Sequence, residues 1–136
     1  MTGSCMCDAV KLTAVVEKPH MDACHCQMCR KWAGGVAMMV ECTDLKIEDE
    51  THLGVYKSSD WGERGFCKQC GSSLFWRMQD GSFQNVSAHV FEDPSQFDFT
   101  TEIYIDKKPG NYSFAQDTKK MTEAEVIAMF IGGQEQ

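Results

Sequence analysis

Cys24-His25-Cys26-Gln27-Met28-Cys29-Arg30 places three thiols within six residues, the densest concentration of reactive chemistry in the chain. Thiolates this close repel one another unless a cation sits among them, and Zn²⁺ is the usual cation of a sulfur-rich tetrahedral site. Three ligands leave one tetrahedral corner open, the feature that separates a catalytic zinc from a structural one. The other cysteines are the C-x-C pair Cys5 and Cys7, the C-x-x-C pair Cys67 and Cys70 followed by Gly71, and Cys42. Cys42 has no partner at ligand spacing and reads as a small buried hydrophobe.

The remaining seven divide naturally into four and three. Spacing alone leaves open whether Cys67 and Cys70 join Cys5 and Cys7 or complete a four-cysteine ribbon with Cys26 and Cys29. The first arrangement keeps the trio whole and is preferred. C-x-C and C-x-x-C spacings belong to metal knuckles or redox motifs rather than to a disulfide framework.

With 136 residues, the chain has the length of one domain spanning residues 1–136. A formal net charge of −7 and a pI near 5.0 argue against binding nucleic acid through phosphate neutralisation. The apolar run from Val36 to Val40 is far too short to span a bilayer, and Met1-Thr2-Gly3-Ser4 lacks the charged and apolar regions of a signal peptide. A soluble, cytoplasmic protein with no membrane partner is expected.

The pattern predicts a mainly β fold of meandering antiparallel sheets with one short C-terminal helix. Gly3 to Val16 alternates as a strand carrying Cys5 and Cys7 on one face. Further strands are expected over Val36–Glu41, Leu45–Glu48, Gly54–Ser58, Leu74–Met78, Phe83–Phe91 and Thr101–Asp106, the last with Ile103 and Ile105 inward. Asp80-Gly81 marks a hairpin, Met28–Trp32 a helical turn ended by Gly34-Gly35. Thr122-Glu123-Ala124-Glu125 is a capping box opening a helix with Val126, Met129 and Phe130 on one face, ending at Gly132-Gly133.

Three ordered blocks carry a resemblance to a known family. They are Gly3-Ser4-Cys5-Met6-Cys7 with Val10; Cys24 through Lys31 followed by Gly34; and Tyr56-Lys57-Ser58-Ser59 leading to Arg64-Gly65-Phe66-Cys67-Lys68-Gln69-Cys70-Gly71-Ser72-Ser73-Leu74. The sequence resembles the glutathione-dependent formaldehyde-activating enzymes, also described as the centromere-protein-V-like family. The resemblance implies a β-tent of small antiparallel sheets stapled by a structural zinc on Cys5, Cys7, Cys67 and Cys70, with a catalytic zinc on Cys24, Cys26 and Cys29. Beyond residue 80 the likeness thins. Glu102 stands before Ile103 where the family pattern has a histidine, and an aromatic that follows a proline is shifted to Tyr112. These departures fall where the resemblance implies that substrate specificity is set.

A thiol on zinc is deprotonated, so an open corner generates thiolate from a small thiol at neutral pH. The expected chemistry is addition of that thiol, of glutathione type, to an aldehyde such as formaldehyde, or the reverse carbon–sulfur lyase step. An acid must then protonate the alkoxide, with His25 and His89 as candidates. Arg30, Lys31 and Arg64 are the cations available for glutathione carboxylates, with Lys31 reading as a solvated charge. The competing expectations are a non-catalytic zinc-stabilised binding module and a redox sensor whose trio oxidises to a disulfide.

Overall fold

Short β-favouring runs punctuated by Gly, Asp and Pro give a mainly β protein with two helices in the computed structural model, which describes residues 1–135 and their side chains through residue 130. The order is β1 (Thr2–Ser4), β2 (Lys11–Val15), β3 (His20–Cys24), α1 (Gln27–Ala33), β4 (Ala37–Ile47), β5 (Leu53–Tyr56), β6 (Gly62–Cys67), β7 (Ser73–Met78), β8 (Gln84–Ser87), β9 (Asp98–Ile103), β10 (Lys119–Met121) and α2 (Glu123–Glu135). The chain forms two compact units, Met1–His20 with Met39–Asp98, and Met21–Met38 with the chain from Phe99 onward. Among the described residues no helix is long and apolar enough to cross a membrane.

The first unit is antiparallel. β5 pairs with β6, β6 with β7, β7 with β8 and β8 with β4, while β1 and β2 form a hairpin that continues onto β4. Val10, Leu12, Val40, Leu74, Phe75 and Val86 fill its core. Two glycines let aromatic rings lie across the sheet. Gly54 faces Phe66 and Gly65 faces Phe75 across the ladder, and a Cβ on Gly65 would sit 2.2 Å from the Phe75 ring.

Several predicted elements change. The single strand from Gly3 to Val16 is broken between Ser4 and Lys11, so Cys5 and Cys7 lie on a turn rather than on one face of a strand. Asp8 at φ 64 makes that turn, with the Cys5 N–H donating to Val10 O at 3.0 Å. The two strands expected across residues 36–48 are one, with Asp44 at φ 50 absorbing the irregularity. The strand expected to reach Phe91 ends at Ser87, although Ala88 and Val90 stay buried in a 3-10 turn.

The second unit departs from the antiparallel expectation. β9 lies beside β3, and β10 runs parallel to β9, matching Lys119 with Thr101 and Met121 with Ile103. A parallel pair needs a long crossover, here residues 104–118. The phase of β9 is also opposite to the one expected, since Glu102 is buried while Ile103 is half-buried and Ile105 lies beyond the strand in a 3-10 turn. Burial of a carboxylate is tolerable only where it is hydrogen-bonded, which is the case here.

The capping box at α2 forms as expected. Glu125 Oε1 accepts from the Thr122 N–H at 3.1 Å, and the Glu125 N–H donates to Thr122 Oγ1 at 3.3 Å. Val126 is buried, but Met129 is 55% exposed and the helix continues through Gly132-Gly133 to Glu135.

The close approach of Phe75 yields a direct test. Gly65→Ala should destabilise the protein by about 1–3 kcal/mol through overpacking, measured by urea unfolding. An unchanged midpoint would contradict the observed packing.

Candidate metal centres

Cys5, Cys7, Cys67 and Cys70 converge in the first unit, with their sulfurs within 4.8 Å of one another. Cys5 Sγ lies 3.6 Å from Cys7 Sγ, which lies 3.7 Å from Cys67 Sγ. Zinc–sulfur bonds of about 2.3 Å in a tetrahedron require sulfur separations of about 3.8 Å, so this donor set fits such an ion. Each cysteine turn also directs backbone N–H groups at sulfur. Val10 N–H donates to Cys5 Sγ at 3.3 Å and Cys70 N–H to Cys67 Sγ at 3.4 Å. Gly71 follows at φ 80, a left-handed conformation that glycine adopts without strain.

Cys24, Cys26 and Cys29 converge in the second unit, again with sulfurs within 4.8 Å. The C-x-x-C turn is built as in the first centre. Cys26 caps α1, its Sγ accepting the Cys29 N–H at 3.3 Å, and Gly34 ends the helix at φ 77. Cys24 and Cys29 are buried and Cys26 is partly exposed. The crowding thiols of Cys26 and Cys29, followed by burial, push the Cys24 thiol far above its ordinary range. Such a set ionises together only around a cation, and its softness matches zinc.

Between Cys24 and Cys26, His25 is completely buried. Its Nε2 lies 2.9 Å from Glu102 Oε1 and its Nδ1 2.7 Å from Tyr112 Oη. Thr118 Oγ1 donates to the other Glu102 oxygen, and Lys120 Nζ stands 3.8 Å away. Burial raises the Glu102 carboxyl, but hydrogen bonds from Thr118 and His25 and the charge of Lys120 outweigh it and hold the group below the usual carboxylate range. A carboxylate only accepts, so His25 Nε2 carries the hydrogen of that bond. Tyr104 stands at φ 55 where β9 ends, and burial, then the charge of Cys24, raises its hydroxyl to about 12.

The expected cations separate by unit. Arg30 belongs to the second, where its Nε donates to the His25 carbonyl at 3.0 Å; Lys31 is exposed. Arg64 belongs to the first, buried, with Nε donating to Ser58 Oγ at 3.1 Å. Ser59 Oγ accepts from Gly62 N–H in a turn. His89 is exposed. Cys42 is buried in β4 as expected, and burial followed by the Glu41 charge raises its thiol to about 11.

Glu102, Tyr112 and Thr118 were not among the expected site residues. The sequence marks the first two as departures from a family pattern, without linking either to His25. Thr118 carries no comparable signal.

Fold and donor sets together define a mainly β protein with two cysteine centres able to hold metal. The chain belongs to the glutathione-dependent formaldehyde-activating enzyme family, which it matches over residues 1–107. A Schizosaccharomyces pombe protein described as an uncharacterized lyase is 34% identical over 131 residues, 95% of this chain and 96% of that one. A Halomonas elongata protein carrying the family's name is 32% identical over 85 residues, 55% of this chain and 54% of its own. A crystal structure of a Rhodobacter sphaeroides protein matches with TM-score 0.56 and 23% identity over 68% of this chain and 88% of that one, a likeness of fold.

Two outcomes follow from this geometry. Cys67→Ser should abolish cooperative thermal unfolding, because structural metal binding is folding free energy, whereas Cys24→Ser should retain it. Equal loss in both would contradict the division. Cys42 should resist iodoacetamide at pH 8 in the folded protein and react once urea unfolds it, followed by peptide mass spectrometry; labelling in the folded state would contradict its burial.

Proposed function

We propose that the protein is a zinc-dependent carbon–sulfur lyase-like enzyme that joins a small thiol of glutathione type to an aldehyde such as formaldehyde, or runs that step in reverse. The observation that carries this reading is the contrast between the centres: four clustered thiols in one, three in the other. In this reading Cys5, Cys7, Cys67 and Cys70 hold a structural zinc that staples the small sheets of a β-tent within a single domain. Cys24, Cys26 and Cys29 are the catalytic ligands. A zinc ion held by them would keep a fourth, incoming thiol deprotonated at neutral pH.

The chemistry is redox-neutral. The thiolate sulfur bonds to the carbonyl carbon, the π pair moves to oxygen, and oxygen takes up the proton that the thiol released. The chain's own residues must orient the two reactants. Arg30, anchored on the His25 carbonyl beside the three-cysteine centre, is proposed to bind a glutathione carboxylate, on a chain otherwise acidic; Arg64, expected for the same role, is buried in the first unit. His25 has both ring nitrogens engaged and no exposed surface, so its proposed part in the site is to support a neighbour rather than to touch the aldehyde. Seven ligand thiols also require a reducing compartment, which supports a cytoplasmic location.

Exchange NMR with ¹³C-formaldehyde and glutathione tests the proposal. The zinc-loaded protein should speed adduct formation and breakdown above the uncatalysed rate. Cys26→Ser should return the rate towards background, with the fold retained. Wild-type protein that leaves the exchange rate unchanged would overturn the reading.

A further inference from the structure

Among the described residues β1, β5 and β10 stand at sheet edges, each paired on one side only. An open edge offers unpaired N–H and C=O groups to another strand, and proteins blunt such edges with charge or by keeping them very short. β10 carries Lys119 and Lys120, and β1 is three small residues, Thr2–Ser4. β5 is the apolar edge. Its last two residues, Val55 and Tyr56, are 42% and 66% exposed.

Hydrogen-bond alternation fixes which main-chain groups of β5 are free. Lys68 N–H donates to His52 O at 2.7 Å, and Leu53 is matched to Cys67. The bonded pairs of the β5–β6 ladder are therefore His52 with Lys68, Gly54 with Phe66 and Tyr56 with Arg64. Leu53, Val55 and, one step on, Lys57 turn their main-chain groups outward. The Leu53 N–H is already given to Glu50 O at 3.1 Å. What remains is the Leu53 C=O, both groups of Val55 and the Lys57 N–H, a set symmetric about Val55.

We propose that β5 is a self-association edge, through which two copies of the chain pair antiparallel with the two-fold axis at Val55. In that register each Val55 exchanges both of its bonds with Val55 of the second copy. Each Lys57 N–H donates to Leu53 O of the second copy, so every free group of the edge is used. Side chains match as well. Tyr56 falls opposite Gly54 of the second copy, which has no side chain to obstruct it and lies under the half-buried Phe66 ring, 2.4 Å from where a Cβ would stand. The exposed Tyr56 ring then packs beside Phe66 on the same sheet face, a cross-strand aromatic pair over glycine. Charge selects the direction. Exposed Glu48, Asp49 and Glu50 precede β5 and exposed Lys57 follows it, so antiparallel pairing brings each lysine towards the acidic turn of the other copy. Parallel pairing would align like charges. Asp60 lies past the strand, in the turn that Ser59 Oγ closes on the Trp61 and Gly62 N–H groups. Only residues of the first unit take part, and the inference is independent of the thiol–aldehyde reading.

Sedimentation velocity of the zinc-loaded full chain tests it. Wild-type protein should pass from monomer to dimer between micromolar and millimolar concentration. Val55→Lys sets two like charges opposite each other at the axis, and Val55→Pro removes an outward N–H that the β5–β6 ladder does not use. Each should weaken the dimer at least about tenfold, with the circular dichroism of the fold retained. The register has its own readout. Facing residues of a bonded antiparallel pair have Cα atoms about 5.5 Å apart, within disulfide reach. Val55→Cys should therefore cross-link to a covalent dimer under mild oxidation. Lys57→Cys, whose two copies would stand about 14 Å apart across the axis, should cross-link no more than wild type. A monomer throughout, wild-type affinity in either folded Val55 variant, or equal cross-linking of Val55→Cys and Lys57→Cys would overturn the inference.

Discussion

Repulsion among crowded thiolates is the constraint on which the rest of this molecule depends. Seven of its eight cysteines gather into two clusters whose sulfurs lie within 4.8 Å of one another. Ionised sulfurs at that distance would need a cation among them, and both clusters could hold one. In the first unit the β6–β7 and β1–β2 ladders carry the four cysteines at their ends, so a metal held there would tie the two ladders together. The short strands, with Gly65 letting the buried Phe75 lie over the sheet, supply the remaining core.

The second unit solves a different problem. Its trio lies at the end of β3 and the start of α1, and the residue inside the trio turns into a buried polar chain rather than into the core. His25, Glu102, Thr118 and Tyr112 are each hydrogen-bonded, which makes a costly arrangement tolerable. Rigid apolar filling would serve stability equally well. The polar chain instead holds Glu102 and Tyr112 on the His25 ring, beside the three cysteines.

Local features were legible in the sequence because their physics is local. The cysteine knuckles, the left-handed glycine after α1, the Asp80-Gly81 hairpin and the Thr122 capping box are each written within a few residues. The partition of cysteines was not determined by spacing, since Cys7 and Cys67 are 60 positions apart. The inward phase of Glu102 was also hidden. Alternation favours Ile103 and Ile105 for the interior, and the partners that make a buried carboxylate acceptable are 77 and 16 positions away. β10 has three residues, Lys119, Lys120 and Met121, too few for any period, so the parallel pairing and its crossover could not be read. The turn at Cys5 rests on an aspartate at positive φ, where glycine would have signalled it.

The central claim is that one centre is complete within the chain and the other is completed by a substrate thiol. Zinc-edge X-ray absorption before and after adding glutathione tests it most directly. Full loading should give an average of about 3.5 sulfur ligands per zinc without the thiol and about 4 with it. An average that does not change on adding glutathione, with the second zinc closed by a fourth protein ligand, would contradict the account.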